Sequence, residues 1–589
     1  MSEIKEKYKV IYNILNIIFG IVCFTAITLL IIIIGFYLNV QQTELVLILM
    51  RITTAVFVVQ EVARWFIARH LILYIRSRWV ENLLSLFIVL QYFLQPLGYL
   101  KQITSYDIID ITFVYFGILQ LALFITFFVK IFRHHNIFSK IRLHPGLITA
   151  LSFATVAFLG ALFLMLPKAS PIDHPVSFID ALFTSTSAVC VTGLNTIDTV
   201  TGYTTLGKII IIILIQIGGI GVMTLYSFFA SLIFGGLSYK MRVMVREILS
   251  EDNLSEISSV LKRITFFVLS IEFIGALFLY YSLGSDIFNV NVRHIEIAVF
   301  HSISAFCNAG FSIFTSGFTN PLVYHNYLFL STIMVLIFVG GLGYIAFYDL
   351  FSHIFLKKYT IGKFKKRLSL TTRLDFNASF IIVFSATILI FLFENYSNEY
   401  WMNGFDKFFH SLFMVISART AGFNCVDMSQ LTPIVLFIVI VVMWIGASPG
   451  STGGGIKTTT ISVLLLYFIN YVRGKDTVEI YNRRIDHSSI AKAQMVIISA
   501  FIVLFVCLGG LVYLQPNMSF MDLFFEAVSA ISTTGLSTGI TPSLLSSSKI
   551  FIILLMYIGR IGTLTFFMAV IPAKEELKYD IPDEKILIG

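Results

Sequence analysis

The chain has 589 residues, of which 57% are hydrophobic and only 13% are charged, whereas about a quarter of the residues in an ordinary soluble domain are charged. This composition excludes a string of soluble domains and favours an all-α integral membrane protein, because about 20 mostly apolar residues form a helix that crosses a bilayer. The net charge of +8 lies mainly in connections between apolar stretches. That pattern is typical of cytoplasmic loops and disfavours a nucleic-acid-binding surface. The five cysteines are too widely separated to predict a disulfide framework or a metal site.

Residues 1–142 are predicted to form an N-terminal four-helix membrane extension. Its spans are expected at residues 11–37, 44–68, 80–100 and 109–132. An even number of spans returns the chain to its starting side, and the basic residues that follow the fourth span predict that this side is cytoplasmic. Residues 61–64 and 74–79 resemble part of a voltage-sensor domain. The fourth span has no arginine ladder, so a packing or docking role is favoured over voltage sensing.

Residues 143–575 are predicted to form four tandem helix–pore-loop–helix repeats around a pore. Each repeat has an apolar span, a short stretch of about a dozen residues, a glycine turn and a second apolar span. The predicted repeats cover residues 143–240, 258–358, 374–473 and 490–575, and residues 576–589 are a cytoplasmic tail. Short stretches such as 178–189 and 522–532 cannot cross the membrane. The turns after them are tolerated at membrane depth only where they are buried in protein or line water. About twelve spans are expected in all.

Each repeat carries one glycine within a similar motif. These glycines are Gly193, Gly310, Gly422 and Gly535, and they are separated by 117, 112 and 113 residues. The residues preceding them are Val191 and Thr192, Asn308 and Ala309, Thr420 and Ala421, and Thr533 and Thr534. A potassium ion loses its water in a narrow pore, and rings of backbone carbonyls can replace that water. Glycine permits the unusual dihedral angles that such a backbone requires. The motif therefore predicts a carbonyl selectivity filter, although one such glycine alone would be no more than a packing residue.

A second glycine motif follows each of these glycines by 24 to 30 residues, inside the second apolar span. In the third repeat it expands into a run that must interrupt the helix, which predicts an irregular, flexible segment at the inner side of the pore. The residues of this segment are Gly446, Ala447, Ser448, Pro449, Gly450, Ser451, Thr452, Gly453, Gly454, Gly455 and Lys457. A phosphate-binding loop is the alternative, but the run misses the GxxxxGK[ST] pattern by one inserted residue and has no soluble domain around it.

Together, the four motifs, the glycines of the second spans and the run 446–459 resemble the Trk/Ktr/HKT superfamily of potassium transporters over about residues 143–575. The resemblance implies that the four glycines mark the selectivity filter and that the run is an intramembrane gating loop. In that family a serine at the first filter position is associated with sodium transport, so Gly193 favours potassium. The resemblance also implies that Arg560 faces the pore near the loop, as a barrier to cations or a partner of loop carbonyls. The alternative is an arginine satisfied by backbone carbonyls at a helix contact.

The same resemblance implies a homodimer and a cytosolic nucleotide-binding regulatory subunit as partner. The predicted location is the plasma membrane, with both termini in the cytoplasm. Membrane lipid is the other expected partner, and nucleic acid is not one. No resident cofactor is expected: potassium is the transported ion, and sodium is a candidate activator. No catalytic residue is assigned, because conduction by dehydration in a carbonyl filter involves no covalent chemistry.

Four further charged residues stand out in apolar surroundings. Arg419 is expected to buttress the third filter segment from behind, and Glu272 to pair with a nearby cation or helix. Asp180 and Asp522 each precede their glycine by thirteen residues and are predicted helix N-caps, with attraction of cations at the pore mouth as the alternative.

Two other functions stay open at this point. One is a sodium-permeable or sodium-coupled transporter of the same fold, because the four filter segments are not identical. The other is an alternating-access carrier or membrane enzyme that uses Arg560 and Glu272. Inverted repeats would favour a carrier, whereas these repeats all start on the same side, which favours a pore.

Overall fold

The computed structural model describes residues 9–67, 145–221, 257–284, 292–355, 368–394, 404–475 and 477–571, together with the single residues 72, 82, 83, 86 and 224. Within these ranges the regular structure is helical apart from one two-stranded hairpin, so the predicted all-α class is confirmed. The predicted spans 80–100 and 109–132 and the tail 576–589 lie outside the continuous described ranges, and the boundaries of the predicted domains stay predictions.

The N-terminal extension begins with a helical hairpin, α1 (Lys9–Gly35) and α2 (Val40–Ile67). Arg64 is buried between the two helices, 2.7 Å from the carboxylate of Glu61. Its guanidinium also donates to the carbonyl of Leu15 and to the Asn16 side chain. A charge buried at membrane depth is costly unless it is paired and hydrogen-bonded. Arg64 is therefore engaged within the hairpin, and the other voltage-sensor-like stretch, 74–79, lies outside the described residues.

The remaining helices form four consecutive units, each with an outer helix, a short helix and an inner helix. The first unit contains α3 (Pro145–Leu164), α4 (Phe178–Val189) and α5 (Thr205–Ile220); the second contains α6 (Ile257–Ser282), α7 (Val292–Phe306), the single turn α8 (Pro321–Tyr324) and α9 (Tyr327–Phe355). The third contains α10 (Leu370–Phe393), α11 (Gly404–Ala418), α12 (Pro433–Trp444) and α13 (Thr458–Val472), and the fourth contains α14 (His487–Leu514), α15 (Phe520–Ile531), α16 (Ser546–Ile561) and α17 (Thr563–Val570). Strands β1 (Glu479–Ile480) and β2 (Arg483–Arg484) form an antiparallel hairpin between the last two units.

Seven of the described helices are long and apolar enough to cross a membrane, or eight if the bent pair α16–α17 counts as one span. Large apolar side chains on their outward faces are exposed, such as Phe266, Phe380 and Phe505. A water-soluble protein would bury such residues, whereas lipid solvates them. The chain is therefore a multi-pass membrane protein. The total of about twelve spans stays a prediction, because two of them lie outside the described ranges.

The inner helices are interrupted at corresponding places. Gly221, Gly343 and Gly562 have φ angles of 87°, 77° and 95°, in the left-handed region that disfavours residues with a Cβ. At Gly562 the chain turns by 96° between α16 and α17. In the third unit the interruption is longer, because residues 445–457 separate α12 from α13. We call this segment the intramembrane loop.

The inner helices of the first, second and fourth units also approach the C-terminal ends of their short helices closely. A Cβ added to Gly218, Gly340 or Gly559 would lie 2.1, 2.0 or 2.0 Å from the carbonyl oxygen of Val189, Phe306 or Ile531. These distances are far shorter than van der Waals contact. Glycine is therefore required where the inner helices hold the C-terminal ends of the short helices in place.

The predicted N-caps are wrong by three residues. Ser177 and Ser519 are the N-cap residues of α4 and α15, while Asp180 and Asp522 occupy the third helical position. The Ser177 hydroxyl accepts from the Asp180 N–H, which caps the helix, and donates to the Asp180 carboxylate. In the sequence, the serine three residues before each aspartate was the pattern that indicated the true N-cap residue.

Asp180 also links the last unit to the first. The Lys549 ammonium at the start of α16 lies 2.7 Å from its carboxylate. Burial opposes ionisation of Asp180, but the hydrogen bonds from Lys549 and Ser177 outweigh it, so the pKa of this carboxyl lies below its ordinary value of 3.8. An analogous contact joins the second and third units, where the Tyr327 hydroxyl donates to Asp406.

Substituting Asp180 with asparagine is expected to lower the free energy of unfolding by about 1 kcal/mol, measured by thermal unfolding in detergent. The lowered pKa means that the pair stabilises the fold above pH 3.8 and that this contribution disappears as the pH falls through the lowered value. The difference between wild type and variant should therefore vanish in acid. Asp522→Asn is the matched control at the equivalent position of the fourth unit, and an equal loss in that variant would contradict the role of the Lys549 pair.

Candidate functional site

Each short helix is followed by a turn with the same unusual backbone. The first residues of these turns, Val191, Asn308, Thr420 and Thr533, have φ angles of 57°, 60°, 67° and 51°. The third residues, Gly193, Gly310, Gly422 and Gly535, have φ angles of 97°, 68°, 78° and 93°. For a β-branched valine or threonine the left-handed region is a rare and strained conformation. Such strain persists only where the surrounding structure imposes it, and it concentrates at functional sites. We call these segments the four glycine turns.

The four glycine turns form a closed ring. A Cβ built on Gly193 would lie 2.6 Å from Ala309 O, and one on Gly310 would lie 2.8 Å from Ala421 O. One on Gly422 would lie 2.3 Å from Thr534 O, and one on Gly535 would lie 1.9 Å from Thr192 O. Each glycine therefore touches the middle carbonyl of the next turn, and the fourth turn touches the first. Eight backbone positions, from four distant parts of the chain, meet around one axis.

A serine near the end of each short helix holds the turn that follows it. The middle N–H groups of the turns donate to the carbonyls of Ser187, Ser304, Ser417 and Ser529 at 2.8, 2.7, 2.8 and 2.9 Å. The hydroxyls of Ser187 and Ser529 accept from the glycine N–H groups, both at 3.0 Å. These backbone N–H groups of the glycine turns are therefore hydrogen-bonded within the protein. Sequence reasoning assigned no role to these serines, although each is part of the recurring motif.

The intramembrane loop lies directly against the ring. The N–H of Gly454 donates to Thr533 Oγ1 at 2.9 Å, and a Cβ on Gly453 would lie 2.1 Å from Thr420 Oγ1. On its other side, the Ser448 N–H donates to the carbonyl of Gly341 in α9 at 3.1 Å. The loop thus lies between two glycine turns and the neighbouring inner helix. The space at the centre of the loop is so narrow that only glycine fits there.

Two cationic side chains line the opposite face of the loop. Lys457 Nζ donates to the carbonyl of Gly453 at 2.6 Å. Arg560 donates to the carbonyls of Thr452 in the loop and Gly218 in α5. Both side chains border a cavity of about 660 Å³ that is also lined by the broken regions of the inner helices. The ring, the loop and the cavity therefore follow one another, with the positive charges on the cavity side of the loop.

A family model described as TrkH, cation transport protein, matches residues 164–578 of the chain, which include the whole of this site. The chain belongs to the TrkH family. It is a membrane cation transport protein, and the predicted Trk/Ktr/HKT membership and the absence of an enzymatic role are confirmed.

Individual relatives agree with the TrkH assignment. The Ktr system potassium uptake protein B of Bacillus subtilis is 33% identical over 456 residues, which are 76% of this chain and 98% of that protein. The potassium/sodium uptake protein NtpJ of Enterococcus hirae is 33% identical over 463 residues, again 76% of this chain and 98% of that protein. The crystal structure of the potassium transporter TrkH from Vibrio parahaemolyticus has the same fold, with a TM-score of 0.60 at 19% identity, covering 84% of this chain and 98% of that one.

In this TrkH-family chain, buried polar residues connect the loop to the third glycine turn. Asp375, on the outer helix α10, accepts from the hydroxyl of Thr458, the first residue after the loop. One helical turn further, Ser379 accepts from the Arg419 guanidinium at 2.9 Å. Arg419 immediately precedes Thr420, so it lies behind the turn and contacts the outer helix. Sequence reasoning singled out Arg419 but missed Asp375, although an acidic residue within an apolar span was a usable signal.

Two buried glutamates lie behind other turns of this site. Glu272 on α6 accepts from Gln216 of the first unit's inner helix at 3.0 Å, so it joins two units. Glu526, within the short helix α15, accepts from Thr541 at 3.1 Å and from Ser537, two residues after Gly535. His301 occupies the equivalent position in α7 and contacts Ser312, also two residues after its glycine, at 3.0 Å. Sequence reasoning noticed Glu272 and missed the other two.

Proposed function

We propose that this TrkH-family protein mediates potassium uptake across the plasma membrane by channel-like translocation. Its selectivity filter is formed by the backbone carbonyls of the four glycine turns, which replace the ion's hydration shell. The observation that carries the proposal is the closed ring in which each glycine touches the middle carbonyl of the next turn. Converging carbonyls of this kind are the ligands that a dehydrated potassium ion requires. The potassium uptake proteins among the relatives support the same ion.

The intramembrane loop is proposed as the gate. Its contacts with Thr420 and Thr533 next to the ring support this role, and its three successive glycines allow the backbone to rearrange. Arg560 is proposed as an electrostatic barrier on the cavity side. A guanidinium that lines an ion path disfavours cations nearby, and its hydrogen bonds to the loop and to α5 hold it there.

The assembly is proposed to be a homodimer with cytoplasmic termini, regulated by a cytosolic nucleotide-binding subunit. Relatives named as parts of a Ktr system support the existence of partner subunits. Sodium is retained as a candidate activator.

A sodium-permeable transporter of the same fold is the second candidate function. The first residues of the glycine turns differ, with asparagine at position 308 among valine and threonines, so the ring lacks exact fourfold symmetry. One relative is named as a potassium/sodium uptake protein.

Growth and rubidium uptake in a host that lacks its own potassium uptake systems test the proposal. Wild type is expected to restore growth at low potassium, and Gly193→Ser to lose this rescue or shift it toward sodium. The reason is that a Cβ at this position lies 2.6 Å from Ala309 O and displaces the ring. Transport that is indifferent to this substitution would remove Gly193 from the ion path and favour an alternating-access carrier. Sodium uptake by wild type as fast as rubidium uptake would favour the second candidate.

A further inference from the structure

A basic cavity lies away from the ion path, between the β1–β2 hairpin and the start of α10. Its volume is about 480 Å³. It is lined by His353, Leu368, Leu370, Arg373, Tyr481, Asn482 and Arg483. We propose that this cavity binds the phosphate of an anionic phospholipid headgroup.

The depth of the cavity in the membrane matches a headgroup. Helix α10 has 24 residues, or roughly 36 Å at 1.5 Å per residue, whereas the hydrocarbon core is about 30 Å thick. Helix α10 is therefore long enough for its first turn, which carries Arg373, to reach the headgroup layer. Arginine and tyrosine side chains are favoured at this level, because their apolar parts contact lipid and their polar ends reach water and phosphate.

The hairpin tip is fixed against the lipid-facing side of α10. Tyr481 and Asn482 form the tip with φ angles of 52° and 61°, as a two-residue type I′ turn requires. The guanidinium of Arg373 lies 3.7 Å from the centre of the Tyr481 ring. The Tyr481 hydroxyl accepts from Asn377, one turn further along α10, at 2.6 Å. The cavity wall is therefore built by specific contacts and positions Arg373 beside the hairpin.

The charges around the cavity favour an anion. Within the described ranges, neither Arg373 nor Arg483 forms a salt bridge. Asp349, the acidic residue of α9, accepts from the backbone N–H of Ser369. The third arginine of this region, Arg484, instead contacts His487 at 3.1 Å. Two guanidinium groups that have no carboxylate partner among the described residues thus border one cavity, and the planar guanidinium fork suits the oxygens of a phosphate.

The surface next to the cavity distinguishes a lipid from free phosphate. Continuing along the face of α10 that carries Arg373 and Asn377, the chain exposes Phe380, Ile381 and Phe384, with relative exposures of 62%, 65% and 59%. Residues spaced by three or four positions share one helix face. The face therefore begins with a cation at the headgroup level and continues as an apolar strip at acyl-chain depth, which is the chemistry of a phospholipid molecule.

Lipid binding can be measured independently of ion transport. Full-length protein in detergent is delipidated, titrated with phosphatidylglycerol and analysed by native mass spectrometry. We expect the double variant Arg373→Gln/Arg483→Gln to bind its tightest phosphatidylglycerol about tenfold more weakly, because two charge-assisted contacts are lost. Arg484→Gln is the matched control, since it removes the same charge from the same hairpin outside the cavity, and it should bind like wild type.

Three outcomes would overturn the proposal: equal binding by wild type and double variant, an equal loss in Arg484→Gln, or displacement of the lipid by millimolar inorganic phosphate. The last outcome would assign the cavity to free phosphate. The variant Arg373→Lys/Arg483→Lys keeps the charge without the fork and should bind with intermediate strength. Its unchanged elution from a sizing column would exclude misfolding as the cause. Because the readout is lipid binding, a failed potassium assay would leave this result intact.

Discussion

Alanine at position 535 is expected to abolish ion transport while the protein still folds and reaches the membrane. A Cβ at this position would lie 1.9 Å from Thr192 O and 3.0 Å from the Cα of Gly193, so the first and fourth glycine turns must separate. In enzyme sites a misplacement of about 1 Å can lower the rate roughly a hundredfold, and we expect a loss of at least that size when the carbonyl ligands of an ion are displaced. Rubidium flux into vesicles that contain purified protein measures this effect directly.

A nearby glycine separates backbone strain from the geometry of the ring. Gly539 has a φ angle of 91°, close to the 93° of Gly535, but a Cβ there would have no atom within 4 Å. Gly539→Ala therefore imposes a similar conformational strain without moving a neighbouring carbonyl, and most of the flux should remain. If both variants lose transport equally, strain in the segment after the ring explains the result and the ring contacts do not.

Neutralising Arg560 is expected to raise cation flux. In Arg560→Gln the positive charge beside the intramembrane loop is removed, and a single shorter amide nitrogen replaces the two guanidinium nitrogens that donate to Thr452 and Gly218. The lower electrostatic barrier and the more weakly held loop should both increase cation flux. A change of about 1.4 kcal/mol in the barrier gives a tenfold change in rate. Rubidium flux in vesicles should therefore increase about tenfold.

Two further variants distinguish charge from structure in this prediction. Lys492→Gln removes a positive charge from an exposed residue that borders the same cavity, and it should change flux little because water screens that position. Arg560→Lys keeps the charge and should stay close to wild type. Flux that falls in Arg560→Gln, in protein that remains folded, would show that the arginine supports the path rather than obstructing it.

The periodic features of this fold could be predicted from sequence. The short helix at residues 178–189 is confirmed with the same bounds, because a polar connection and a glycine turn delimit it on both sides. The position of each glycine turn followed from repeated spacing alone. The left-handed conformation of Val191, Thr420 and Thr533 could not be predicted, because local propensity disfavours it for β-branched residues and tertiary contacts impose it.

Contacts between residues far apart in the chain were less accessible to sequence reasoning. Asp375 and Thr458 are 83 positions apart, and Asp180 and Lys549 are 369 positions apart, so no local pattern joins either pair. The role of Ser187 and its equivalents was hidden for a different reason. A serine before alanine in a membrane helix is ordinary in itself, and only its hydrogen bonds to the following turn distinguish it.

Having the four units in one polypeptide has a consequence for how such a pathway can be modified. In an assembly of four identical subunits, any insertion at the axis would occur four times, and four copies of a thirteen-residue segment would compete for the same volume. Among the described residues, a single left-handed glycine interrupts each of three inner helices, whereas a thirteen-residue segment separates α12 from α13 in the third unit. Under the proposed function, the covalent joining of the units therefore allows the third unit to supply the gate while the other three keep the geometry that ion coordination needs.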